Sequence, residues 1–171
     1  MNLPMLGSLK PNQHIPEWLA SDPLEIPFFG GLKLPVTLET HDEADEKDVN
    51  MALASFLSLG IDERLAISRY VFQNYRNMAE QVSEEDLDCQ IESEEDVWQH
   101  LNPTDIYISR RDCRDRAIYV VITANCDWER EHGLQIVYRR GSDLVRVSDQ
   151  DGHLTHTDAY ALPEEQDRIV D

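Results

Sequence analysis

The second half of the chain is dominated by four runs rich in Ile, Val and Tyr, at residues 105–110, 117–124, 134–139 and 144–148. The links between them are short, whereas parallel neighbours need a crossover of a dozen or more residues. These runs are therefore expected to pair as an antiparallel meander, with Arg140-Gly141-Ser142-Asp143 as a hairpin turn. No other feature restricts the fold as much.

Upstream, the hydrophobic period changes. Leu32, Leu34, Val36 and Leu38 alternate with Lys33, Thr37 and Glu39, which reads as a half-buried strand. From residue 43 to 59 the spacing becomes helical, with Ala44, Met51, Ala52, Phe56 and Leu59 as the apolar stripe and Gly60 as a left-handed C-cap. Asp62 is expected to cap a second helix running to about Val82, with Leu65, Tyr70, Val71, Phe72, Tyr75 and Met78 on its buried side. Ser93-Glu94-Glu95-Asp96 resembles a capping box and opens a short helix that Asn102-Pro103 stops. Residues 1–31 hold Pro4, Pro11, Pro16, Pro23 and Pro27, so they read as an irregular arm; its apolar residues predict that it docks on the body. The expected architecture is a single α+β domain over residues 1–171: a central antiparallel sheet of about five strands, two main helices on one face, the arm at 1–31, a core at 32–148 and a partly ordered tail at 149–171.

Charge narrows the function. The chain carries 34 acids against 15 bases, a net charge of −19. That balance disfavours binding to nucleic acid or to an anionic membrane surface, and favours encounter with basic partners. Residues 83–96 contain eight acids and no base, while residues 101–148 contain eight arginines against seven acids. An acidic helical layer on an arginine-bearing sheet is implied, with Arg110, Arg111, Arg114 and Arg116 expected to pair with the protein's own acids. Cys89, Cys113 and Cys126 form no C-x-x-C pair. With no basic and apolar leader at the N-terminus and no run near the roughly 20 apolar residues a bilayer needs, they point to a reducing, cytoplasmic setting.

The chemistry-bearing residues concentrate at 126–134, Cys-Asp-Trp-Glu-Arg-Glu-His-Gly-Leu, in a link between two strands. A thiolate–imidazole pair of Cys126 and His132 is chemically allowed there, and Glu129, Glu131, His132, His153 and His156 are possible metal ligands. Their spacing matches no helical H-E-x-x-H arrangement, and Asp151-Gly152 makes the second pair of histidines a turn. No metal or organic cofactor is expected. Trp128 is read as closing the end of the sheet through a backbone carbonyl, with Glu131 and His132 as a hydrogen-bonded pair that fixes the loop and Gly133 relieving its backbone.

The run Cys126-x-Trp128-x-x-Glu131-His132-Gly133-Leu134 resembles the signature of a bacterial family known only as a domain of unknown function, in which a strand ending in Cys-x-Trp is followed by Glu-His-Gly-Leu opening the next. The resemblance takes in residues 35–39, the two helices and Asn74-Tyr75, and covers roughly residues 28–148. It carries no activity to particular residues. Genes of this kind are similar to those of small acidic immunity proteins found beside toxins of interbacterial competition. The functional expectation is accordingly an acidic cytoplasmic protein–protein binding module, an immunity or inhibitor protein for a basic toxin, with Glu84, Glu85, Asp86, Asp88, Glu92, Glu94 and Glu95 as partner contacts. The alternatives are a non-enzymatic housekeeping protein whose acids confer solubility, and a hydrolase built on the 128–134 loop.

Overall fold

A computed structural model describes residues 2–39, 42–81 and 89–170. The arm supplies β1 (Leu9–Pro11), β2 (Leu19–Ser21) and β3 (Leu24–Ile26). They are followed by β4 (Leu32–Leu34), β5 (Val36–Leu38), and the helices α1 (Glu46–Leu57), α2 (Ile61–Ala66) and α3 (Ser68–Ala79). Then come β6 (Leu101–Arg110), β7 (Ile118–Cys126), β8 (Leu134–Arg139), β9 (Asp143–Asp149) and the one-turn α4 (His156–Ala159).

This architecture overturns the expected five-stranded antiparallel sheet with two helices. The main sheet is mixed and has seven strands in the order β1-β2-β5-β6-β7-β8-β9, and β3 and β4 form a separate two-stranded sheet. Three physical reasons account for the difference. Strands of three residues in the proline-rich arm are too short to show a period of two. Pro35 lacks an amide donor and divides the single strand expected at 32–39, so β4 pairs with β3 while β5 enters the main sheet. The long segment between Leu38 and Leu101, which carries α1–α3, provides the crossover that a parallel β5–β6 pair requires. The four late strands pair antiparallel in chain order.

Helix boundaries were also displaced. Gly60 is extended, at φ −111°, and is the N-cap of α2 rather than a left-handed terminus; its N–H donates to the Glu63 carboxylate at 2.7 Å. The second expected helix is divided at Ile67 into α2 and α3, and Leu65 is exposed. Along α1 Ala52 and Phe56 are buried as expected and are joined by Val49 and Leu53, whereas Met51 is exposed, as is Ala44 in the 3₁₀ turn before the helix. The expected capping box is not formed: the next element is a 3₁₀ helix (Asp96–His100) whose N-cap is Glu95 without a side-chain cap. Ser93 closes the turn before it by accepting from the Asp96 N–H at 3.3 Å, while Asn102-Pro103 lies within β6, where a register shift between Pro103 and Asp105 accommodates the proline.

The two faces of the sheet differ in kind. One carries Val36, Leu38, Ile106, Ile108, Val120, Ile122, Ile136 and Val147 against α1 and α3 and the docked arm residues Leu3, Leu6, Ile26 and Phe28. Each such side chain contributes about 1.5–3 kcal/mol by leaving water, which makes this the main core. The opposite face is narrower in its apolar content (Tyr119, Val121 and Val137, with Leu154 on top) and includes buried polar groups, notably Arg111, Gln135 and Arg146. The segment after β9 closes over it, with Thr155, His156 and Thr157 buried, and the chain then returns along the β9 edge, where Val170 bridges to Val147 in parallel and joins the main core.

Candidate functional site

The link between β7 and β8 is held by hydrogen bonds that converge on one carboxylate. Glu129 Oε1 accepts from the N–H of Glu131 at 2.9 Å and from the N–H of His132 at 3.1 Å. Its carbonyl accepts from the Gly133 N–H at 3.1 Å and from the Cys126 thiol at 3.4 Å. Gly133 sits at φ +69°, and a Cβ there would lie 2.5 Å from the Ala124 carbonyl oxygen, so the turn requires glycine. The residue that fixes the loop is thus Glu129: Glu131 is exposed, and the largely exposed His132 places its Nδ1 3.5 Å from the Glu129 carboxylate rather than pairing with Glu131. This corrects the expected Glu131–His132 pair. The two acids are near neighbours in sequence, and only the path of the turn decides which one folds inward.

Replacing Glu129 by alanine should therefore cost about 1–3 kcal/mol, because two backbone donors lose a charged acceptor. Glu131→Ala should stay within about 0.5 kcal/mol, as for other surface changes. Urea denaturation of both variants checks the order; a costlier Glu131→Ala would reverse the assignment.

Trp128 ties this loop to the helices. Its Nε1–H donates to the Asn74 Oδ1 at 2.9 Å, a side-chain acceptor in place of the expected backbone carbonyl, and its ring meets Tyr75 edge-on at 6.0 Å. The Tyr75 hydroxyl in turn accepts from the Ile91 N–H at 3.2 Å. The Asn74-Tyr75 pair and the Cys-x-Trp motif, far apart in sequence, are one packed unit. Burial pushes the Cys126 thiol up to about 12. A nucleophilic cysteine needs the opposite shift, so this loop offers no activated thiolate.

Of the four arginines expected to pair with the protein's own acids, Arg110, Arg111 and Arg114 do, whereas Arg116 is exposed and makes no ion pair with a described residue. Arg110 pairs with Asp45 at 2.7 Å and Asp48 at 2.9 Å on the α1 side of the sheet. On the other face Arg111 meets Asp158 and Glu164, Arg114 meets Glu164, Arg139 meets Asp115 at 2.5 Å, and the fully buried Arg146 meets Asp151 at 2.7 Å. Of the proposed partner contacts, Glu84, Glu85, Asp86 and Asp88 lie outside the described residues. Glu92, Glu94 and Glu95 are exposed. Glu94 also borders a shallow groove along α3 with Arg69, Arg76 and Glu80, so the acidic surface is locally offset there. His153 is exposed and His156 is buried beside Tyr160 and Arg168. Among the described residues no group of three or more His, Cys, Asp or Glu side chains is gathered as a metal would require.

One further site was not anticipated. A cleft of about 270 Å³ opens on the polar face of the sheet, walled by Trp18 from the arm and by Gln150, Gly152, His153 and Leu154 from the closing segment. Its floor is Glu39, Tyr107, Ser109, Val121, Thr123 and Gln135. The Ser109 hydroxyl donates to the Glu39 carboxylate. Burial pushes the Glu39 carboxyl up to about 7. A desolvated carboxyl in a cleft is the kind of group that marks binding and catalytic sites. In sequence Glu39 reads only as the polar end of an alternating strand; the elements that bury it come from the two ends of the chain.

The chain belongs to the family described as a domain of unknown function (DUF6985), whose model matches residues 5–154. No curated protein and no solved structure matches the chain. Among the described residues no helix is long and apolar enough to cross a membrane.

Proposed function

We propose that this protein is an acidic protein–protein binding module whose partner is a basic protein, and that it serves as an immunity or inhibitor protein for a basic toxin in the cytoplasm. The observation that supports the reading is the inward pairing of the bases. At least five of the eight arginines in residues 101–148 are engaged by carboxylates of the same chain. With those cations neutralised locally, the net charge of −19 falls on the remaining surface, where Asp42, Glu43, Asp62, Glu63, Glu92, Glu94 and Glu95 are exposed. A surface of one sign steers an oppositely charged protein toward it and raises the rate of encounter by 10-fold to about 1000-fold. Enzymes that act on nucleic acid carry basic clefts, and an acidic module can occupy such a cleft.

The test is capture by the tagged protein from its own cells, followed by association kinetics with the purified partner. A basic partner is expected, with an on-rate that drops by about tenfold or more as salt shortens the screening length. Reversing Glu92, Glu94 and Glu95 to lysine should slow association further without altering the far-ultraviolet spectrum. A salt-independent on-rate, or a partner that is not basic, would overturn the proposal.

A further inference from the structure

The cleft over Glu39 has the composition of a receptor for a positive charge. Glu39 sits at the end of β5 and is hydrogen-bonded to Ser109, and no described Lys or Arg lines the cleft with it. Trp18 on the wall and Tyr107 on the floor meet edge-on at 6.1 Å, so two aromatic rings line the cleft. Cations are attracted to such ring faces, and more strongly where water is excluded. Among the described residues, the titratable groups that line the cleft with Glu39 are Tyr107 on β6 and His153 on the closing segment, and Asp105 on β6 is close enough to act on Tyr107. Beyond Gln135, Arg146 is paired with Asp151 and adds no net charge. Asp105 and the overall charge of −19 make the potential in the cleft more negative. An anionic or neutral ligand would leave the ionised carboxylate uncompensated, whereas a cation supplies the missing partner.

We propose that this cleft binds one organic cation, a primary ammonium or a guanidinium group, seated against Trp18 and Tyr107 with the Glu39 carboxylate as its counter-ion. Binding draws Glu39 into its charged form and so releases a proton in neutral solution. The volume of about 270 Å³ admits a small amine or the end of a lysine or arginine side chain. The site uses none of the exposed acids of the partner surface, so its failure leaves that reading untouched.

The test is an NMR titration of the full chain with butylguanidinium, butylammonium and, as the uncharged isostere, n-butanol. Both cations should give saturable shifts at the Trp18 indole, and butanol should not. With Glu39 titrating near 7, its ionised fraction, and hence the apparent affinity, should rise about tenfold from about pH 6 to about pH 8, a range in which both probes stay charged. Glu39→Gln removes a charge that burial opposes, so the variant is expected to fold. It should bind at least about tenfold more weakly and lose the pH dependence. Trp18→Ala should weaken binding while keeping that dependence. Equal binding of butanol, equal binding by Glu39→Gln, or no saturation by either cation would overturn the proposal. A peptide with a single central arginine identifies the source: tighter binding than butylguanidinium indicates a protein side chain, and exclusion of the peptide indicates a free amine.

Discussion

Replacing Arg111 by alanine should destabilise the protein by about 3–5 kcal/mol, the cost of leaving a buried ion pair without one partner. The Arg111 side chain is 3% exposed. Its Nε and one terminal nitrogen each donate to the Asp158 carboxylate at 2.7 Å, and it also reaches Glu164 at 2.8 Å and the Thr155 hydroxyl at 3.1 Å. The planar guanidinium suits this two-point contact in a way that lysine does not, so Arg111→Lys should recover only part of the loss. Without Arg111, the half-buried Asp158 is left beside Glu164 with Arg114 as the one remaining cation among the described residues paired with them. Hydrophobic replacement of both members, Arg111→Met with Asp158→Leu, should cost less than Arg111→Ala alone, because no unpaired charge remains.

The same pair sets a pH signature. Burial opposes the charge on Asp158, but the hydrogen bonds from Arg111 outweigh it and hold the carboxyl below its ordinary value. A carboxyl depressed in the folded state contributes stability that is complete above its unfolded value and disappears as pH falls through the folded one. The difference between the parent and Arg111→Ala should therefore be full near neutrality and shrink below about pH 4. Denaturant titrations across pH measure it. Limited proteolysis supplies a second readout, since residues 150–170 should become the first segment cut in the variant. Unchanged stability with the closing segment still protected would refute this account of what holds it.

How much of this was legible in the sequence depended on the range of the interaction. The β6–β9 meander was readable because its runs are long and its links are short, both local properties. The arm strands were not, since three residues cannot display alternation and their partners, such as Leu38 for Leu19, are fixed only by tertiary pairing. The position of α1 and part of its buried side are readable: Ala52 and Phe56 face the core as the helical spacing predicts, but Val49 and Leu53 complete that face, and Ala44 and Met51 are exposed. At the candidate site, residues 126–134 stood out because they combine unusual side chains in one link. The choice of Glu129 over Glu131 did not, because it follows from the left-handed backbone at Gly133. Glu39 was invisible as a site, since its burial is produced by Trp18 and residues 150–154, remote in sequence on either side.

The largest single-residue effect expected outside the charge network is at Gly141, where turn geometry and helix packing coincide. The β8–β9 hairpin closes through a turn in which Arg140 has φ 53° and Gly141 φ 82°, the mirror-image geometry that matches the twist of paired strands. The turn lies against α1, so that a Cβ on Gly141 would overlap the Ala52 carbonyl oxygen and come within 2.8 Å of its carbon and 3.0 Å of the Phe56 nitrogen. These are backbone atoms of a helix and cannot swing aside as a flexible side chain would. Gly141→Ala should thus combine left-handed strain of about 1–2 kcal/mol with overpacking of about 1–3 kcal/mol. Together these are a large fraction of the roughly 5–15 kcal/mol by which domains are stable. Gly152 separates the two contributions: its φ is +79°, but nothing lies within 4 Å of a Cβ placed there. Gly152→Ala should therefore show the strain alone, and the excess cost at Gly141 measures how closely the hairpin is pressed onto α1. Equal costs at the two positions, read from denaturant midpoints at constant m-value, would mean that helix and turn yield to each other and that this contact does not fix their spacing.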